Sequence, residues 1–454
     1  MTEGFAVRGA ALHTPALGWV EAWPDALIEV DPSGRISAVH GEAPPTLADR
    51  FDAAGRLVRL GPRQLLLPGL VDLHIHAPQF PHLGTALNLP LERWLTDYTF
   101  PLEARYADAA FAAGVYEHLV ATLLANGTTT AVYYGTLHLP ATRHLAEICH
   151  RRGQRAHVGR VAMDHPGTCP PWYRDASAAV AVDETRALIQ HIRALPGNHG
   201  LVRPIVTPRF IPACTDDLLR GLSALAAETD CAVQTHCAES DWEQEHVRHR
   251  CGCSDARALL RFGLLAPHSV LAHGNFLEDA DFEVIRTYGA GVAHCPLSNA
   301  YFAGAAFPLR AALEKSVRVG LGSDISGGAH PSLFEQARLA VTVSRLLESG
   351  VDPALPAATR GRPGARIGAA EAFWLATAGG ADVLGQRTGL FSPGYAFDAL
   401  LLDAEHADSN LRLDPGEPAE RRLERIVHTA ARPDIAAVWV NGRRVHARAA
   451  GGPG

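Results

Sequence analysis

Two histidines in the segment D-L-H-I-H are the first residues along the chain whose types and spacing could do chemistry. His74 and His76 are two residues apart, so on a strand both side chains point to the same face, about 6.5 Å apart. Two imidazoles with this spacing can bind one cation. Leu70, Val71, Leu73 and Ile75 flank them, which predicts a buried strand where unpaired imidazoles would be costly. The pair therefore predicts metal ligands rather than a polar patch on a solvated strand.

Three further segments carry a residue of the same kind where an apolar run ends. In Q-T-H-C-A-E, His236 could bind a metal and Glu239 could carry protons; L-A-H-G supplies His273, and V-G-L-G-S-D ends in Asp324. Each of these patterns has another explanation when it is taken singly. A histidine followed three residues later by a glutamate, as in His236 and Glu239, also arises by chance, and a histidine such as His273 is more often structural. Asp324 could instead cap a helix near Pro331. Three imidazoles and one carboxylate suit zinc or iron better than magnesium or calcium.

Other metal and nucleotide motifs are missing from the sequence. It contains neither P-C-x-x-C nor H-E-x-x-H, which excludes the cytidine-deaminase and zincin types of zinc site. No G-K-[ST] triplet occurs, so there is no P-loop. Lys315 is the sole lysine, and any carbamylated-lysine or Schiff-base chemistry would have to use it.

The elements that must position these residues alternate between strand and helix. The predicted helices, which lie between the predicted strands, include 141–153, 216–229 with Thr215 as N-cap, and 331–347. Eight strands with helical crossovers predict an α/β fold with a (β/α)8 TIM-type barrel, since a doubly wound open sheet gives no reason for eight units. The predicted strands are 70–76, 128–133, 157–163, 202–210, 232–236, 270–273, 291–294 and 317–324.

Both ends of the chain read as short strands with turns. Examples are the D-P-S-G turn at 31–34 and the N-G hairpin signal at 441–442. We therefore expect residues 67–386 to form the barrel, and residues 1–66 and 387–454 to build one small β-sandwich domain together.

The sequence resembles the amidohydrolase superfamily and, more narrowly, its guanine deaminase family. The narrow match rests on P-G-L-V-D-L-H-I-H-A-P-Q-F-P (68–81) and L-P-L-E-R-W-L-T-D-Y-T-F-P-L-E (89–103), together with R-F at 209–210, Q-T-H-C-A-E-S (234–240), A-H-C-P-L-S-N (293–299) and G-L-G-S-D-I-S-G-G (320–328). Ala238, Ser323 and the segment 300–307 depart from the usual pattern, and the last could reshape a pocket wall.

The resemblance implies a site and a reaction. It makes His74, His76, His236 and Asp324 the ligands of one zinc ion per chain, with iron as the other candidate, and it implies that a purine is bound by Gln79, Arg209 and Phe210 together with His76, His236, Glu239 and Asp324. Zinc would activate water, Asp324 would take a proton from that water, Glu239 would pass protons to the ring and the departing amine, and His273 would hydrogen-bond the new oxygen. Guanine would give xanthine and ammonia, as in purine catabolism or salvage.

Two other functions remain open from the sequence. A related aminohydrolase could act on 8-oxoguanine, a pterin or a triazine, and the Gln79 and Arg209–Phe210 pocket favours guanine over these. A non-catalytic assembly protein of the same superfamily would typically lack the metal ligands, all of which are present here.

Composition limits the partners and the compartment. The 454 residues are 47% hydrophobic and carry a net charge of −7, with no basic stripe and no apolar run long enough to span a bilayer. We therefore expect a small-molecule substrate and no nucleic acid or membrane partner.

Eight cysteines are too sparse for a disulfide scaffold, and the first residues lack a signal-peptide pattern, which predicts a cytoplasmic protein. The resemblance adds the expectation of a homodimer.

Overall fold

The computed structural model describes residues 3–414 and 416–449 of this chain, which form an α/β fold. None of the helices in these two ranges combines the length and apolar character that a membrane crossing requires. The strands are β1 (Phe5–Ala16), β2 (Trp19–Val30), β3 (Ile36–His40), β4 (Leu57–Arg59), β5 (Gln64–Pro68), β6 (Leu70–His76), β7 (Thr128–Tyr134), β8 (Arg155–Gly159), β9 (Val161–Ala162), β10 (Val202–Pro204), β11 (Thr207–Pro208), β12 (Gln234–Cys237), β13 (Val270–His273), β14 (Gly291–His294), β15 (Arg318–Leu321), β16 (Ala399–Asp403), β17 (Ile435–Val440) and β18 (Arg443–Ala447).

Most helices lie between the strands of the middle of the chain. They are α1 (Pro45–Ala53), α2 (Leu91–Trp94), α3 (Phe100–Ala104), α4 (Ala109–Ala125), α5 (Leu139–Arg152), α6 (Ala178–Arg193), α7 (Asp216–Thr229), α8 (Asp241–Cys251), α9 (Asp255–Arg261), α10 (Asp279–Thr287), α11 (Pro296–Ser298), α12 (Leu309–Glu314), α13 (Leu333–Ser349), α14 (Ala357–Arg360), α15 (Ala369–Trp374), α16 (Gly380–Val383) and α17 (Ala419–Thr429). The side chain of Thr215 accepts a hydrogen bond from the N–H of Leu218, which confirms it as the N-cap of α7.

The middle strands pair in parallel. One sheet has the order β10-β8-β7-β6, a second has the order β12-β13-β14-β15, and β9 pairs with β11. Further backbone contacts link these sheets: the N–H of Asp324 donates to the carbonyl of His74 at 2.8 Å, and Val206 forms a parallel bridge with Val233. The carboxyl ends of the parallel strands therefore meet on one side, where the histidines of β6 and β12 lie.

Two predicted strands are interrupted. The segments predicted at 157–163 and 202–210 each appear as two short strands, β8 with β9 and β10 with β11. Pro204 and Pro208 lie in the second segment and have no N–H to donate to a ladder, which explains the break there. The predicted helix 331–347 begins at Leu333 and follows Ser332 as its N-cap residue, so Asp324 does not cap it.

The strands from the two ends of the chain pair with one another. Their order is β18-β17-β16-β5-β1-β2-β3, with β4 beside β1. Asn441 and Gly442 both have positive φ, +49° and +73°, which is the backbone of a tight two-residue hairpin turn between β17 and β18. The described strands form one continuous hydrogen-bonded sheet. Strand β1 joins its two halves, because its 12 residues and register shifts let it pair with β2 on one side and with β4 and β5 on the other. The sandwich arrangement of this sheet stays a prediction.

Candidate active site

The four residues predicted as metal ligands lie together at the carboxyl ends of the parallel strands. His74 and His76 are on β6, His236 is on β12, and Asp324 follows β15. The Nε2 atoms of His76 and His236 are 2.9 Å apart, and Asp324 Oδ1 lies 3.1 Å from His74 Nε2 and 3.7 Å from His76 Nε2. Ligand atoms that share a zinc ion are separated by roughly 3 to 3.5 Å, so this spacing suits a common ion.

The hydrogen bonds of these histidines leave nitrogen atoms for a metal. Among the described residues, neither ring nitrogen of the fully buried His74 makes a hydrogen bond. His236 donates from Nδ1 to the carbonyl of Arg209 at 2.6 Å, which leaves the lone pair of the neutral ring on Nε2. Burial is the main cause that holds the pKa of His74, His76 and His236 well below the usual value, so the rings are neutral near pH 7. The unpaired Nε2 of His74 and the close Nε2 atoms of His76 and His236, together with the carboxylate of Asp324, fit a zinc-type cation.

The backbone around Asp324 is shaped to bring its carboxylate to the histidines. Asp324 has a φ of +49°, a left-handed conformation that costs a non-glycine residue about 1–3 kcal/mol. A Cβ on Gly327 would lie 2.7 Å from Asp324 Oδ2 and 2.8 Å from the hydroxyl of Ser298, so only glycine fits there. This strain is localised at the position that the sequence predicts as a ligand.

Glu239 lies in the turn between β12 and α8, and its backbone is held from two sides. Its N–H donates to the carboxylate of Glu243 at 2.7 Å, and its carbonyl accepts from the side chain of Asn275 at 2.9 Å. Burial, and then the negative charge of Asp324, raise the pKa of Glu239 to about 8. A buried carboxyl with a pKa near neutrality is suited to giving and taking protons.

His273 faces the same cluster from β13. Its Nε2 is 3.6 Å from Glu239 Oε1 and 4.0 Å from Asp324 Oδ2, and its Nδ1 donates to the side-chain oxygen of Asn299 at 2.9 Å. Because Nδ1 carries the proton of the neutral ring, Nε2 presents a lone pair towards the site. The neutral ring can therefore accept a hydrogen bond from water, and it can donate one to an oxygen only after it is protonated.

We expect Asn299→Ala to lower the kcat of the reaction that this site catalyses by about tenfold or more while the bound metal is retained. The reason is that His273 would lose the Nδ1 hydrogen bond to Asn299 that sets its tautomer. Asn299→Asp keeps an acceptor oxygen at this position and serves as the matched variant. Steady-state kinetics together with metal analysis would check this. An Asn299→Ala enzyme with normal kcat would show that the orientation of His273 does not matter.

The predicted recognition residues line a pocket above the cluster. Its walls include Gln79, Arg209 and Phe210 as well as the predicted ligands His76 and Asp324. All three recognition residues are buried, with exposed fractions of 1%, 2% and 6%. The structure therefore places the sequence-predicted purine site directly beside the sequence-predicted metal site.

Glu103 holds two of these residues, and the sequence reasoning did not single it out. The guanidinium of Arg209 donates twice to its carboxylate, at 2.7 and 3.2 Å, and the amide of Gln79 donates at 2.9 Å. A charged residue in the apolar run F-P-L-E was a signal that could have identified it.

The mouth of the pocket is apolar. Trp94 lines the pocket and also contacts Phe302 with ring centroids 4.9 Å apart. Phe302 belongs to the segment 300–307, so part of this segment does form a pocket wall. The sequence also contained no sign that Ser298 and Asn299 individually belong to the site, because only the folded chain shows which residues they contact.

Comparison with known proteins adds an independent line of information. A family model described as the amidohydrolase family matches residues 65–445. A protein of Schizosaccharomyces pombe named as a probable guanine deaminase is 37% identical over 448 residues, which are 96% of this chain and 82% of that relative.

Solved structures give the same result at the level of the fold. The guanine deaminase from C. acetobutylicum with bound guanine in the active site has a TM-score of 0.87 and 28% identity, and the match covers 98% of this chain and 100% of that one. An adenosine deaminase from Xanthomonas campestris with bound zinc has a TM-score of 0.78 and 25% identity, over 97% and 92% of the two chains.

Proposed function

The chain belongs to the amidohydrolase family, and from this premise we propose that it is an enzyme that hydrolyses guanine to xanthine and ammonia. The observation that carries the proposal is a single pocket with Gln79, Arg209 and Phe210 on its walls and a cluster of metal-type ligands at its base. Full-length similarity to guanine deaminases supports the choice of guanine.

We further propose that the parallel strands form one closed (β/α)8 barrel over residues 67–386, with residues 1–66 and 387–454 as one small β domain. The family and the contacts that link the parallel sheets support the barrel. The shared terminal sheet supports the small domain.

We propose one zinc ion per chain, held by His74, His76, His236 and Asp324. The donor set of three imidazoles and one carboxylate supports zinc, and iron is the competitor that metal analysis would identify. The count of one is supported by Lys315, the sole lysine, whose Nζ pairs with Asp279 at 3.1 Å outside the pocket. No lysine is then left to bridge a second metal.

In the proposed reaction the side chains of this chain move the protons. When bound, zinc lowers the pKa of water towards about 7 and so supplies hydroxide at neutral pH. Asp324 takes the proton that water loses as its oxygen bonds to the amino-bearing carbon of the ring. Glu239 protonates a ring nitrogen and regains a proton from Asp324, which holds the one taken from water. Glu239 then protonates the amine, whose bond to carbon breaks to release ammonia, and the new hydroxyl returns its proton to Glu239 as it becomes the oxo group. Nε2 of His273 accepts a hydrogen bond from the water and then from the new hydroxyl.

The proposal predicts rapid ammonia release from guanine by the purified, zinc-loaded protein. Adenine, 8-oxoguanine and isoxanthopterin serve as parallel substrates, because they test whether the wall at 300–307 has changed the specificity. Release from guanine alone would support both reaction and substrate. No release from guanine with release from another ring would contradict the substrate and keep the metal chemistry.

We also propose a homodimer in the cytoplasm. All eight cysteines are free thiols, in keeping with a reducing compartment. Light scattering of the purified protein would test the dimer.

A further inference from the structure

Glu103 is a buried carboxylate on α3 whose hydrogen-bonding positions are all occupied by donors. Oε1 accepts from Gln79 at 2.9 Å and from Arg209 at 3.2 Å; Oε2 accepts from Arg209 at 2.7 Å and from the hydroxyl of Tyr173 at 2.8 Å. A carboxylate offers about four such positions, so none remains for a substrate. Glu103 therefore acts on the pocket only through its partners.

The side-chain amide of Gln79 is fixed at both ends by this arrangement. Its NH₂ group donates to Glu103, and its oxygen accepts from the N–H of Ser326 at 3.2 Å. If the amide were flipped, its oxygen would face the carboxylate of Glu103 and its NH₂ group would face the N–H of Ser326. Both contacts would be repulsive in a buried site, so only one orientation is stable.

The guanidinium of Arg209 is fixed in the same way. Its two-pronged ion pair with Glu103 sets its plane, and its central carbon lies 5.0 Å from the centre of the Phe100 ring. Where Arg209 and Gln79 approach Glu103, the pocket wall consists of N–H groups, and the lone pairs of Glu103 are already used. A ligand group that lies there must be a hydrogen-bond acceptor.

We propose that Glu103 is a positioning residue that makes the enzyme select purines with an oxo group, and reject purines with an amino group, at the ring carbon that is not deaminated. This inference rests on the proposed function, since it concerns how the same pocket chooses guanine. Glu103 does this by holding Gln79 and Arg209 as donors, without contacting the purine.

The test compares guanine with 2,6-diaminopurine, in which the oxo group at C6 is replaced by an amino group. Hydrolysis at C2 releases one ammonia from each and leaves xanthine or 2-oxo-6-aminopurine, which chromatography separates. The ratio of kcat/KM for the two substrates is measured in the wild type and in Glu103→Gln. In the variant one oxygen acceptor becomes a donor, which removes one of the two contacts that fix the Gln79 amide, so a Gln79 that offers its oxygen to an amino group is disfavoured less than in the wild type.

We expect Glu103→Gln to raise KM for guanine and to reduce the guanine preference by at least about tenfold. Tyr173→Phe is the matched control, because it removes one hydrogen bond to Glu103 and leaves the contacts with Gln79 and Arg209; it should keep the preference. If Glu103→Gln does not fold, Glu103→Asp replaces it, since the shorter side chain cannot reach both partners.

The outcomes separate this inference from the proposed function. A wild type that does not hydrolyse guanine would overturn the proposed function. A wild type that prefers guanine, with variants that lose activity on both substrates equally, would overturn the role of Glu103 alone. Loss of folding in both Glu103 variants would show a purely structural residue and would also overturn it.

Discussion

Glu239→Gln is expected to keep its bound zinc and to lose about 10²–10⁴-fold in kcat. The amide has nearly the same size and keeps a hydrogen-bonding oxygen, so the turn held by Glu243 and Asn275 should be undisturbed. An amide cannot donate an acidic proton to the ring nitrogen or to the leaving amine. The measurement is ammonia release from guanine, made alongside metal analysis of the same preparation.

The matched control for this variant is Glu245→Gln, which makes the same chemical change on an exposed residue of the neighbouring helix α8. It should have wild-type kcat and zinc content. A fully active Glu239→Gln enzyme would remove Glu239 from the proposed reaction. A variant that loses zinc as well would instead place Glu239 among the residues that hold the metal.

The convergence of the metal-type residues could be predicted from the sequence because each marks the end of an apolar run. The spacing of His74 and His76 places both on one face of a strand, and parallel strands bring their carboxyl ends to one side of the fold. His236 and Asp324 follow from the same rule. No pairing of strands had to be known, so the prediction did not depend on the exact strand lengths, and two of the predicted strands are in fact interrupted.

The network around Glu103 could not be predicted in this way. Its partner Arg209 is 106 residues away, and only the folded chain shows that one carboxylate binds Arg209, Gln79 and Tyr173 together. Asn299 is similar, since its role depends on the tautomer of His273. Periodicity identifies which residues are buried, but hydrogen bonds between distant loops leave no periodic trace. The sequence likewise does not reveal that β1 pairs on both sides within the terminal sheet, because this pairing is a property of the tertiary structure.

His236→Ala is expected to abolish stable zinc binding and, with it, guanine hydrolysis. His236 Nε2 lies 2.9 Å from His76 Nε2, and the Nδ1 bond to Arg209 aims it at the cluster. Loss of an outer hydrogen-bond partner of a ligand already costs about 10–100-fold in metal affinity, so loss of the ligand itself should exceed that range. Zinc content after dialysis, and competition with a chelator, measure the affinity directly.

Thermal unfolding separates loss of the metal from loss of the fold. A metal that binds only the folded state raises Tm in proportion to its binding free energy, so zinc should raise Tm of the wild type. The control is His249→Ala, which removes an exposed histidine on α8 and should respond to zinc like the wild type. The Tm of His236→Ala should not respond to zinc. If His236→Ala still held one zinc per chain, another residue of the cluster would have to be the ligand. His273 would be the first candidate, because its ring nitrogens lie within 4.8 Å of the ligand atoms of both His236 and Asp324.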